Sequence, residues 1–205
     1  MKHLKLYVAA MALMLSVACK SDKNKNADMD DDTNATETSM DDDMTDTQAD
    51  DMDNNMKEVS FALEPKSGSS VSGTVTFSED QGHVTMKAEL KGLKEGEHAI
   101  HIHENADCSS EDGKSAGGHW NPTAQPHGKW GDEAGYHKGD IGNFNADADG
   151  NATVIKTTNE WCIGCGDSNK DILGKAIIVH EGVDDFTSQP SGNAGSRVSC
   201  GGIIE

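Results

Sequence analysis

Residues 98–140 read HAIHIHENADCSSEDGKSAGGHWNPTAQPHGKWGDEAGYHKGD and hold six of the chain's nine histidines. The opening HAIHIHE alternates as a β-strand does, and His101 and His103 stand two apart, so both side chains leave one face. His98 is out of phase with them and leaves the other face, which argues against a ligand role for it. Two imidazoles on one face of a rigid strand form half of a metal site. The rest of the stretch is a Gly/Pro-rich loop, in which His119, His127, His137 and Asp140 can wrap around an ion. A seventh candidate, His180, follows in the apolar run KAIIVHE. Imidazoles with one carboxylate suit a borderline cation such as zinc, while an all-imidazole set also suits copper. Two four-coordinate ions need eight ligand positions, and seven side chains are on offer. Either one imidazole serves both ions or a water completes the count.

On both sides of this stretch the pattern is that of an all-β domain. Short alternating runs occur as EVSFAL from Glu58, SGTVTFSE from Ser72, HVTMKAEL from His83, IGNFNA from Ile141, ATVIKTT from Ala152, KAIIVHE from Lys175 and RVSCGGII from Arg197. Gly82 and Gly92 punctuate them as turns require. With HAIHIHE that makes about eight strands and no amphipathic helix longer than two turns, which predicts an antiparallel sandwich or flattened barrel.

The first 56 residues read differently. Lys2 and Lys5 precede the short apolar run LYVAAMALMLSVA, which is too short to span a membrane as a helix. The run ends in Ser16-Val17-Ala18-Cys19. Residues 1–18 therefore resemble a bacterial lipoprotein signal peptide, with Cys19 as the lipidated mature N-terminus. A leucine is more usual at the position of Ser16, so ordinary signal-peptidase cleavage is the alternative. Either way the chain is expected to be exported to the cell envelope, as an outer-membrane lipoprotein if Cys19 is acylated. Residues 20–56 carry 13 acidic and 3 basic side chains with almost no aliphatic or aromatic content. Such a segment cannot offset the entropy of folding, and with Cys19 it is expected to be a disordered acidic tether over 19–56. Residues 57–205 add 23 acidic and 12 basic side chains, so the folded part is acidic too. That balance argues against nucleic acid or an anionic membrane surface as a partner.

Six motifs in order, HIH at His101–His103, GGHWNP around His119, HG at His127, YHKGDIGN around His137 and Asp140, VHEGVDD around His180, and SGNAGSRVSCG around Arg197 and Cys200, resemble the Cu,Zn superoxide dismutases. The resemblance covers about residues 58–205. It implies a Greek-key β-barrel with two long functional loops, one copper and one zinc per subunit, and superoxide as substrate. His101, His103, His119 and His180 would hold copper. His119, His127, His137 and Asp140 would hold zinc, His119 serving both. Asp184 matches a carboxylate that links ligands of the two metals, and His98 a packing histidine. Arg197, the only arginine of the chain, would dock superoxide with its planar donor fork, and His119 and Arg197 would be the catalytic residues. One superoxide would give up an electron and leave as O2; a second would take it up and leave, with two protons, as H2O2. The segment from Asp184 to Gly192 is shorter than in the familiar eukaryotic enzymes and lacks their charged guiding cluster. Pro190 stands where a lysine is common and Ser191 where a threonine is, so Lys129 and Lys138 are the candidates to steer the anion instead.

Four cysteines remain once Cys19 is set aside, and four allow three pairings. Export favours disulfides. The resemblance implies Cys108–Cys200, which leaves Cys162 and Cys165 in WCIGCGDSNKD. A CxxC alone is open to a local structural disulfide, a redox role or half a metal site; the absence of a βαβ context or a second pair favours the disulfide. A copper- and zinc-buffering envelope protein on the same fold is the alternative to an enzyme; Arg197 and the complete ligand set favour the enzyme. The oligomeric state stays open. A homodimer is compatible with the sequence, Ile172, Leu173 and Ile203 hinting at an apolar patch.

Overall fold

The computed structural model describes residues 56–205; the leader, Cys19 and the acidic tether lie outside the described residues. Eight strands follow one another as β1 Lys57–Pro65, β2 Ser72–Asp80, β3 His83–Lys91, β4 Gly96–His103, β5 Gly142–Ala146, β6 Ala152–Thr158, β7 Ala176–His180 and β8 Arg197–Gly202. Among the described residues the only helical piece is a 3-10 turn at Lys114–Ala116. Alternation accounts for the strands. In β3, Val84, Met86, Ala88 and Leu90 point inward, while Lys87 and Glu89 between them are exposed. On the outer face, hydroxyls pair across strands at Ser60–Thr76 and Thr85–Thr157, both 2.9 Å. Asp80 pairs with His83, which leaves Gln81 (φ 48°) and Gly82 (φ 75°) as a two-residue turn with both residues left-handed. That is the hairpin geometry whose twist matches its strands.

The strands are ordered β5-β4-β7-β8-β1-β2-β3-β6, every pairing antiparallel. β1 pairs along β2 through seven residues but touches β8 only at Glu64–Cys200 and Pro65–Ser199. Two four-stranded sheets thus join at that seam into a nearly closed barrel. Phe77, Met86, Ile100, Ile102, Ile177 and Val179 fill the interior, and Phe77 meets Trp161 edge-on with centroids 5.9 Å apart. Each such side chain contributes about 1.5–3 kcal/mol when fully buried.

One sheet is covered on its outer face as well, and that covering makes the site. Beyond Glu97, every residue of β4 is buried: Ile100 and Ile102 face the interior, His101 and His103 the opposite side. Ala176, Ile178 and Cys200 form a second apolar cluster with Ala116, against which Cys108 packs. Cys108 and Cys200 are disulfide-bonded, with Cα atoms 5.8 Å apart across a separation of 92 residues. This bond fastens the loop after β4 onto β8. A second disulfide joins Cys162 and Cys165.

One expectation is corrected here. Ile172 and Ile203 are fully buried, and Leu173 packs against the core, so they do not form a surface patch. The backbone bonds Gly174 N–H to Ile203 O (2.9 Å) and Ile203 N–H to Lys175 O (2.7 Å) tie these apolar residues into the barrel end.

Candidate metal centre

Three backbone strings are knotted at the site. Trp120 N–H donates to Ile102 O (2.8 Å), Gly139 N–H to Trp120 O (3.0 Å) and Ile102 N–H to Gly139 O (2.9 Å). His101 and His103 flank the first string, His119 precedes Trp120, and His137 and Asp140 bracket Gly139. Residue 139 must be glycine for this approach, since a Cβ would collide with the Ile102 carbonyl. The fourth element is β7. A register shift at Val179/His180 sets His180 opposite Arg197 of β8, the kind of bulge that re-aims a side chain beside a site.

Two groups result, each with ligand atoms within 4.8 Å of one another: His101, His103, His119 and His180, and His119, His127, His137 and Asp140. All seven residues are buried. His119 belongs to both. Among the described residues, the buried side-chain N or O atoms with no hydrogen-bond partner are His101 Nδ1, His103 Nε2, His119 Nε2, His127 Nδ1, His137 Nδ1 and His180 Nε2. Every one lies in these two groups. A buried polar atom without a partner costs about 1–3 kcal/mol, and six in one place make a set of nitrogens that could hold cations.

The opposite ring nitrogens explain why those lone pairs face inward. His101 Nε2 lies 2.8 Å from Asp184 Oδ2, and His127 Nε2 lies 2.9 Å from Asp184 Oδ1. Each Nε2 therefore carries a proton, and neither Nδ1 has a hydrogen-bond partner. His103 Nδ1 donates to Gly117 O (3.0 Å), which frees its Nε2. His119 Nδ1 is 2.8 Å from Asp140 Oδ1. His127 and His137 approach Asp140 through Nδ1 at 3.0 and 3.2 Å without hydrogen-bond alignment; their lone pairs converge beside the carboxylate. Asp140 Oδ2 also accepts from Gly128 N–H (3.1 Å) and His137 N–H (2.8 Å), so its rotamer is set by the loop.

Burial pushes His103 and His180 well below the ordinary histidine range, with neighbouring imidazoles adding to the effect. Burial likewise lowers His101, against the pull of Asp184, and brings His119 down to about 4. These rings are neutral at neutral pH, as ligands must be. His127 is the exception: burial opposes its charge, but Asp140 and Asp184 on either side raise it to about 9, so a cation at its Nδ1 would have to displace a proton. Burial also opposes ionisation of Asp140 and Asp184, yet both lie far below the usual carboxylate range, held there by their histidine partners.

A cleft of about 400 Å³ opens onto the first group; His119, His180, Ser191, Glu104 and Arg197 contribute to its wall. Arg197 is half-buried, its Nη1 and Nη2 donating to Gly113 O and Gly117 O, each at 2.8 Å. Gly117 O thus fixes His103 and Arg197 together. Lys129 and Lys138, the candidates for steering, stand apart from this cleft: Lys138 is ion-paired with Glu160, and Lys129 borders a separate groove with Glu97 and Phe186. A somewhat larger groove of about 480 Å³ lies beyond His98, between Ser69, Lys94 and Glu181; no unpartnered nitrogen converges there. His98 itself is bonded at both ring nitrogens to carbonyls, of His180 (3.1 Å) and Lys94 (2.8 Å), and stays out of the centre.

The family model for copper/zinc superoxide dismutase matches residues 71–203. The chain belongs to the Cu,Zn superoxide dismutase family. The superoxide dismutase of Caulobacter vibrioides is 43% identical over 135 residues, 64% of this chain and 77% of that one. The second such enzyme of Aquifex aeolicus is 38% identical over 136 residues, 65% of this chain and 79% of its own length. The crystal structure of an SOD-like protein from Bacillus subtilis superposes with a TM-score of 0.63 at 32% identity, covering 71% of this chain and 97% of that one. A Cu,Zn superoxide dismutase is an oxidoreductase acting on superoxide with copper and zinc as cofactors, and the two histidine groups fit such ions.

One residue that the sequence reading of the dismutase overlooked is Gln189. Its Oε1 accepts from His127 N–H (2.8 Å) and its Nε2 donates to His127 O (2.9 Å), clamping the backbone of a candidate ligand as a neighbouring strand would. The partners are 62 residues apart, and no local pattern marks the glutamine. The carbonyls of Gly113 and Gly117 that hold Arg197 were overlooked for the same reason.

Proposed function

We propose that His101, His103, His119 and His180 hold copper, that His119, His127, His137 and Asp140 hold zinc, and that His119 bridges the two. The observation that carries this reading is the convergence of all six unpartnered buried nitrogens on these two groups. When bound, copper supplies the one-electron redox change and zinc a fixed charge without redox chemistry. The protein's own part is positional and electrostatic. Asp184 holds the proton-bearing Nε2 of one copper ligand, His101, and of one zinc ligand, His127, so a single carboxylate sets the orientation of both rings.

Arg197 docks the substrate. Two of its five N–H groups are spent on Gly113 and Gly117, which leaves three for an anion in the cleft. No other basic side chain among the described residues lines that cleft besides its histidines. The acid on its wall, Glu104, is turned to Gly118 N–H at 3.1 Å. His119 Nε2 faces the same space and is the atom placed to hold a proton and pass it to the departing peroxide.

The setting proposed for this activity is the cell envelope, with Cys19 lipidated and the acidic segment spacing the domain from the membrane. Disulfides fit an oxidising compartment. The test of substrate docking is Arg197→Ala beside Arg197→Lys. Copper and zinc content should stay unchanged, while the dismutation rate falls by about 10-fold or more in the alanine variant, lysine recovering only part because it lacks the fork. An unchanged rate in Arg197→Ala would remove Arg197 from the mechanism. For the anchor, Cys19→Ala should shift the protein from the membrane to the soluble fraction.

A further inference from the structure

The metal centre makes no use of the second cysteine pair. Cys162 and Cys165 are disulfide-bonded in the segment between β6 and β7, and their surroundings are unequal. Cys162 is 6% exposed and lies between Trp161 and Ile163, each 1% exposed. Cys165 is exposed. Gly164 (φ 61°) and Gly166 (φ 75°) flank it, so no side chain stands on either side. A Cβ built on Gly166 would meet nothing within 4 Å. One sulfur of the pair is therefore approachable and the other is covered.

The backbone frame around the pair does not depend on the S–S bond. Asp171 Oδ1 accepts from Gly164 N–H (3.0 Å) and Leu173 N–H (3.1 Å), and Oδ2 from Gly166 N–H (2.9 Å). Cys162 N–H donates to Lys170 O (2.9 Å), and Cys162 O accepts from Ile172 N–H (3.1 Å). Lys57 Nζ holds Ile163 O (2.8 Å) and Glu79 Oε2 holds Ile163 N–H (2.9 Å). The loop from Cys162 to Leu173 is thus pinned from three sides, with both neighbours of Cys165 fixed by one carboxylate. Opening the bond would leave the two thiols confined to the same short segment, a condition for closing again. Cys108–Cys200 is different. Cys200 is fully buried, and Cys108, itself in the loop after β4, is half-buried against the same apolar cluster.

We propose that Cys162–Cys165 is a thiol–disulfide exchange site, entered at Cys165 by a low-molecular-weight thiol. The thiolate of the small molecule attacks Cys165 Sγ; the Cys162–Cys165 bond breaks, and Cys162 Sγ leaves with the electron pair and takes a proton from water. A second thiolate attacks the small-molecule sulfur of the mixed disulfide and releases Cys165 as a thiol. Two external thiols are oxidised to one disulfide and the pair is reduced by two electrons; the reverse sequence, with the oxidised small molecule, restores it. Attack needs access to the target sulfur, which selects Cys165.

The experiment uses the full chain with both disulfides intact. It is exposed to graded reduced glutathione in mildly alkaline buffer, quenched with N-ethylmaleimide at intervals and mapped by peptide mass spectrometry, with circular dichroism as a check that the fold persists. Cys162 and Cys165 should become labelled at least about 10-fold faster than Cys108 and Cys200, since Cys200 is fully buried and Cys108 is half-buried, so that this pair opens mainly through local unfolding. The glutathione mixed disulfide should be found on Cys165, and Cys162→Ser treated with oxidised glutathione should carry the adduct there. Equal opening rates for the two pairs, an adduct on Cys162, or no opening short of denaturation would each overturn the proposal. If Cys162→Ser does not fold, the labelling of the unmutated chain decides alone.

Discussion

Asp184→Asn separates the two metals in a way that geometry dictates. The carboxylate has two distinct ends. Oδ1 accepts from Phe186 N–H (2.7 Å) and faces His127 Nε2 (2.9 Å), whereas Oδ2 faces only His101 Nε2 (2.8 Å). An asparagine must therefore place its carbonyl at the Oδ1 position, where a backbone donor requires an acceptor, and its NH2 toward His101. The amide then donates to His101 Nε2, which must give up its proton. That proton moves to His101 Nδ1, one of the six inward-facing lone pairs. The copper group loses a ligand, while His127 keeps its tautomer and the zinc group is spared apart from the lost charge. Partners of this kind are worth about 10–100-fold in metal affinity, or about 1.4–2.8 kcal/mol. The assay is competition against a chelator of known affinity, run for copper and zinc separately on the metal-free variant. Copper affinity should fall by that factor and zinc affinity by distinctly less. Equal losses, or a larger loss for zinc, would refute the tautomer argument.

Gln189→Ala removes both bonds to the His127 backbone; at about 0.5–1.5 kcal/mol each, zinc should dissociate several-fold faster with little change in copper, as measured by transfer to a chromogenic chelator. Met86→Ala empties a fully buried position of the barrel interior and should cost about 2–5 kcal/mol in chemical denaturation, leaving the rate per metal-loaded molecule unchanged. Lowering the pH below the ordinary histidine range should release both metals, because protons compete for the same nitrogens and metal binding is favoured only while they are neutral; activity that survives long incubation at about pH 3 with chelator would contradict this.

Much of the fold was legible because its signals are local. Alternation in HVTMKAEL and HAIHIHE is enough to mark strands and to separate His98 from His101 and His103, and the structure places them on opposite faces of β4. The strand order is not local. Nothing in the pattern of β1 announces that it runs beside β8, and Greek-key connectivity entered through the family motifs alone. The same division holds at the site. Histidine type and spacing marked seven candidate ligands, since a metal demands particular atoms. Of the supports of those ligands, Asp184 was marked by the family motif; the others are carbonyls and a glutamine amide, whose identity says nothing until the chain folds. Gly117 O meets Arg197 across 80 residues, and Gln189 meets His127 across 62. The ion pair of Lys138 with Glu160, 22 residues on, is equally non-local. Ile172 and Ile203 hint at a surface patch in the sequence, but both join the main core of the barrel, a contact that no local pattern marks.

The most direct test of the central claim is metal content and dismutation rate measured on one purified sample, the full chain beside His119→Ala. The account predicts one copper and one zinc per chain with rapid turnover, and in His119→Ala the loss of retained zinc together with the rate, since both groups share that ring. A fully copper- and zinc-loaded chain with negligible turnover would contradict it and leave a metal-buffering protein in its place.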